Sequence, residues 1–144
     1  MATKNALTIA STVDSLIGQF RAHLLGRALP APAYVELDVT GRRLAVQVDH
    51  GTNTSQRLAS LLLWAHTLDE VTVGWWRTTA DSLHITVDGR TTGGLPMRLY
   101  MGVPFTDAAG LVRLAPDEHD IASLDEVFTL ATLLREAHPD QGVA

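Results

Sequence analysis

The sequence predicts an α+β fold, an antiparallel sheet of about five strands with helices packed on one face. Two observations carry this. The apolar residues change their repeat along the chain, from steps of three and four to strict alternation and back, in the order α-β-β-α-β-β-β-α. The links between successive strands are short enough for hairpins, except where the second helix intervenes, and hairpins make antiparallel neighbours. With 46% apolar and 19% charged residues, the 144-residue chain suits one α+β domain spanning 1–144, without disulfide or metal support.

Residues 5–26 read as the first helix. Ala6, Ile9, Val13, Leu16, Ile17, Phe20, Leu24 and Leu25 fall on one stripe. Asn5 is a candidate N-cap, Gly26 a natural stop, and Pro30 and Pro32 forbid continuation. Val35, Leu37 and Val39 then alternate with Tyr34, Glu36 and Asp38. After a turn at 40–43, Leu44, Val46 and Val48 resume the alternation, which makes a hairpin with one oily face.

Asn53 or Thr54 caps a second helix ending near Leu68, with Leu58, Leu61, Leu62, Ala65 and Leu68 inward. Leu63 and Trp64 widen that stripe and predict burial on more than one side. Three more strands follow. Val71, Val73 and Trp75 share one face, opposite Thr72, Gly74 and Trp76. Leu83, Ile85 and Val87 alternate with His84, Thr86 and Asp88; Leu95, Met97, Leu99 and Met101 alternate with Pro96, Arg98 and Tyr100. Pro96 marks this last strand as exposed at its start or lying at an edge. Residues 102–122 read mostly as loop, with a short strand at 111–114. Ser123 and Glu126 frame a capping box for a final helix carrying Leu124, Val127, Phe128, Ala131 and Leu134. Pro139 ends it, and residues 140–144 are expected to fray. The helix–hairpin unit occurs twice, which reads as shared architecture rather than duplication, because the two copies share few residues.

Composition excludes several chemistries. The absence of cysteine removes disulfides, thiolate ligands and Cys nucleophiles. A net charge of −5 argues against a generic grip on nucleic acid. The N-terminus is not a signal peptide, and the longest apolar run, 61–65, is far too short for a membrane span, so a cytoplasmic protein is expected.

No Walker loop, G-x-S-x-G, H-E-x-x-H or G-x-G-x-x-G is present, so no catalytic residue, cofactor or metal site is assigned. The run Asp117, Glu118, His119, Asp120 reads as negative charge favoured ahead of a helix rather than as a metal site. Gly93 and Gly94 join two strands and precede no helix, so they read as a hairpin turn and not a phosphate loop.

The polar face of the sheet is the functional lead. In register it gathers Tyr34, Glu36, Asp38, Gln47, Thr72, Trp76, His84, Thr86, Arg98 and Tyr100. Alternation splits the pair Trp75 and Trp76, sending the first inward, where it is expected to meet Trp64. Aromatics and arginine anchor protein interfaces. Tyr34, Trp76, His84, Arg98 and Tyr100 are therefore the candidate binding residues of a non-enzymatic module for another protein, acting as a homodimer in one version. The alternatives are a small-molecule binder or enzyme, with Arg98, His84 and Tyr100 around a pocket between the sheet and the last helix, and a nucleic-acid binder through the strand face.

Ten of the 11 basic residues are arginine, a bias that GC-rich coding produces. The stretch Leu61 to Val73 followed by Trp76 and Arg77, and the run Leu83 to Arg90 with Tyr100 to Phe105 beyond it, resemble small uncharacterised actinobacterial proteins of phage and integrative-element neighbourhoods. The resemblance covers residues 55–105. It implies an accessory role in a mobile element and carries no catalytic residue across.

Overall fold

The computed structural model describes residues 2–137, with side chains from residue 5 onward. The predicted end of the last helix at Pro139 and the tail at 140–144 lie outside them. The elements run α1 (Ala2–Leu24), β1 (Tyr34–Asp38), β2 (Arg43–Gln47), α2 (Thr54–Ala65), β3 (Asp69–Arg77), β4 (Ser82–Arg90), β5 (Pro96–Pro104), α3 (Phe105–Ala108), β6 (His119–Ala122) and α4 (Leu124–Ala137). The fold is α+β, as the alternating and helical repeats predict.

The strands form one sheet in the order β1-β2-β5-β4-β3-β6. Two features differ from expectation. First, β5 pairs with β2 in parallel, from Leu44 opposite Met97 to Gln47 opposite Tyr100, so the sheet is mostly antiparallel but mixed. The crossover through α2 gives β3 the direction of β2. The β3-β4-β5 meander returns that direction to β5, which fills the gap beside β2. Pro96 accordingly stands at the first position of an interior strand, where its missing N–H costs little. Second, a sixth strand, β6, runs antiparallel to β3 where sequence reading expects loop. The strand expected at 111–114 is a single bridge between Ala109 and Val112.

One face of the sheet carries the core. Leu44, Val46, Val73, Leu83, Ile85, Val87, Met97, Leu99, Met101 and Val103 are buried together with Leu58, Leu61 and Trp64 of α2 and Val127, Leu130 and Leu134 of α4. Asn53 caps α2, its side-chain oxygen accepting the Gln56 N–H at 2.9 Å. Ser123 caps α4 by accepting the Glu126 N–H at 3.1 Å, and its hydroxyl meets the Glu126 carboxylate at 3.3 Å.

The helices are less covered than their stripes predict. Among the described side chains of α1, Leu16, Phe20, His23 and Leu24 dock, while Leu7, Ile9 and Ile17, and Leu25 just past its end, are exposed. The first half of α1 stands off the core, leaving an open groove of about 490 Å³ between Leu7, Ser11 and Ser15 on one side and Arg42 and Leu95 on the other. Leu63 and Phe128 also face outward, because among the described residues nothing covers them. Trp64 is buried, but its aromatic neighbour is Phe20, stacked at 6.4 Å, not Trp75; its indole N–H donates to the Pro30 carbonyl at 2.9 Å. No helix among the described residues is long and apolar enough to cross a membrane.

Candidate binding face

Alternation sends every second side chain of each strand away from the helices, and the register lines these residues up in rows. One row runs Tyr34, Gln47, Tyr100, Thr86, Gly74, Ile121. The next runs Glu36, Ala45, Arg98, Asp88, Thr72. A third runs Gly102, His84, Trp76, His119. Tyr34, Trp76, His84, Arg98 and Tyr100, singled out from sequence, thus share one face. That face forms an open trough of about 1100 Å³ whose lining includes Glu36, Trp76, His84, Arg98 and Tyr100.

Trp76 is held from several directions. His119 stacks on it at 4.8 Å between ring centroids with the planes 9° apart, and His84 lies at 5.5 Å, tilted. The indole N–H donates to Asp117 Oδ1 at 3.3 Å. His84 can lie low because its neighbour is Gly102: a Cβ there would meet His84 Nε2 at 3.4 Å. His119 and Asp117 arrive through the residue after Trp76. Arg77 places its guanidinium 4.0 Å from the centre of the Phe105 ring, donates to the Leu114 carbonyl and pairs with Asp81 at 2.8 Å. Its backbone holds Asp117 and Glu118 through two hydrogen bonds. Between them, Pro116 and Asp117 (φ +64°) make a turn closed by the Glu118 N–H on the Ala115 carbonyl, which aims the chain back along β3.

The arginines lining the trough are all engaged. Arg98 meets Asp88 through two hydrogen bonds of 2.8 and 3.0 Å, which hold its guanidinium pKa above the ordinary value. Arg43 pairs with Asp38 at 2.8 Å and Arg90 with Glu70 at 3.3 Å. The Gly41 N–H, and then Arg43, keep the Asp38 carboxyl below its usual range. Partial burial, followed by the charge of Glu36 and the neighbouring Tyr34, pushes the Tyr100 phenol up.

Sequence reading misses His119, Asp117 and Asp88 as part of the site. Asp88 is on the correct face by alternation. The other two belong to the acidic run, which lies along the sheet edge and its turn, and does not front α4; the acids in the first turn of α4 are Asp125 and Glu126. Among the described residues no group of three or more His, Asp or Glu is placed to hold a metal ion.

The expected pocket between sheet and last helix does not contain Arg98, His84 or Tyr100. A cavity of about 240 Å³ beside α4 is lined instead by Trp75, Leu111, Val112, Asp125, Glu126, Thr129, Leu130 and Leu133. Alternation is the reason: the three polar residues and Trp75 belong to opposite faces. No family model, no curated protein and no solved structure matches this chain.

Proposed function

We propose that this chain is a non-enzymatic module that binds another protein through the open face of its sheet. The observation that carries the reading is a helix-free sheet face on which Tyr34, Trp76, His84, Arg98 and Tyr100 stand together. Trp, Tyr and Arg are the residue types that dominate interface energies. Here two of them are fixed in advance, Trp76 by stacking and Asp117, Arg98 by its two bonds to Asp88. Pre-fixed side chains lose less rotamer freedom on binding, which favours affinity.

The size is adequate. Six strands spaced about 4.8 Å apart, with central strands near 30 Å long, offer on the order of 700 Å², close to the roughly 800 Å² that each partner of a standard complex contributes. The net charge of −5 and the carboxylate of Glu36 oppose use of the face on nucleic acid, since Arg43, Arg90 and Arg98 there are balanced by Asp38, Glu70 and Asp88. An accessory role in a phage or integrative element, and pairing of two copies through this face, belong to the same proposal.

The test is a double variant, Trp76→Ala with Arg98→Ala, against a partner isolated on the immobilised wild-type protein. The expected result is at least a tenfold rise in Kd with a cooperative melt retained, since each anchor contributes more than about 1 kcal/mol. An unchanged Kd overturns the proposal. Light scattering decides the paired version: a mass that stays monomeric at all concentrations removes it.

A further inference from the structure

We infer that the corner of the open face formed by Tyr34, Glu36, Ala45 and Tyr100 is a cation subsite that receives the side chain of a lysine or arginine from the partner protein. The inference rests on the protein-binding reading above and names the chemistry of the partner. Glu36 makes no ion pair among the described residues, whereas Arg43, Arg90 and Arg98 are each taken by another carboxylate. Its charge therefore remains available.

The geometry around Glu36 leaves room. Its cross-strand neighbour is Ala45, whose small side chain leaves a gap in the row between Glu36 and Arg98. Tyr34 stands two residues earlier on the same strand and the same face. Tyr100 sits one row over, beyond Gln47. Behind partial burial, the charge of Glu36 and the neighbouring Tyr34 push the Tyr100 pKa up, in keeping with that placement.

A carboxylate that shares its sheet face with two tyrosines suits an organic cation, whose charge it meets and to which phenol rings are attractive. It does not suit a bare divalent ion, which takes six or more oxygen ligands. The nearby cations, Arg43 and Arg98, are neutralised by Asp38 and Asp88. The overall charge of −5 favours approach of a basic partner.

The experiment uses fluorescein-labelled octa-arginine as probe, read by anisotropy at low salt on the full chain. Wild-type protein is expected to bind it and not octa-glutamate. Glu36→Gln is expected to weaken binding roughly fivefold, the worth of one exposed ion pair. Tyr34→Ala with Tyr100→Ala is expected to weaken it roughly tenfold. Asp14→Asn, on exposed α1, is expected to change nothing. No binding by wild type, equal binding by Glu36→Gln, or equal weakening by Asp14→Asn overturns the inference. If an isolated partner needs Trp76 and Arg98 but ignores Glu36→Gln, this inference fails while the binding reading stands.

Discussion

The His84 ring rests over Gly102, and elsewhere in the sheet a second glycine makes room for the core. A Cβ at Gly89 would lie 2.9 Å from the Leu68 Cβ and 3.1 Å from the Asp69 carbonyl. Neither can withdraw, since Leu68 is buried and Asp69 is backbone. Gly89→Ala is expected to cost about 1–3 kcal/mol of stability in urea unfolding, the usual penalty of overpacking. Gly18→Ala is the contrast. It lies inside α1 with nothing within 4 Å, so the same change is expected to stabilise by about 0.5–1 kcal/mol through helix propensity. Equal effects at the two sites would contradict the packing described. At this scale the sequence is readable where a local rule acts. Alternation alone places Trp75 in the core and Trp76 on the opposite face, where it is half-buried. It says nothing about Trp64, whose partners Phe20 and Pro30 are brought to it only by the fold.

Among the elements, α1 meets the core through Leu16, Phe20 and Leu24, and this docked half contains His23. The imidazole is 4% exposed. Thr67 spends its hydroxyl proton on the Trp64 carbonyl, so His23 Nε2 must donate to it, and His23 Nδ1 is left buried without a partner. Burial, and then the nearby Arg27, lower the His23 pKa from its ordinary 6.5. The folded state therefore refuses a proton that the unfolded chain accepts. The contribution to stability is complete above about pH 6.5 and is lost as the pH falls from there through the lowered folded value. His23→Gln is expected to shrink the loss of stability between pH 7.5 and 5.5, measured by denaturant unfolding at both pH values. An unchanged loss would contradict this. The capped helices α2 and α4 are legible because their signals are local. Strand β6 is not: it has four residues, mostly exposed, and lies at the sheet edge only because Arg77 ties down the chain that leads to it. The parallel pairing of β5 with β2 was within reach of the sequence. A helix crossover followed by a three-strand meander fixes the direction of β5, whereas hairpin lengths alone report only on neighbours.

At the scale of the whole molecule, the helices cover one face of the sheet and the other is lined with aromatic rings, histidines and paired charges. Which face is oily follows from the period of two. That the other face stays uncovered does not, because it depends on where residues 102–122 run: after finishing β5 they bury Phe105, Ala108, Val112 and Leu114 in the core, and 119–122 then join the sheet as its edge strand. Every binding proposal for this chain requires that face to be open. The most direct test is oxidative footprinting of the protein alone, read residue by residue by mass spectrometry. The expected result is joint modification of Tyr34, Trp76 and Tyr100 at rates well above those of Trp64 and Trp75, which are 1% and 9% exposed. Protection of Trp76 and Tyr100 to the level of Trp64 would show the face already covered and would contradict the docking role assigned to it.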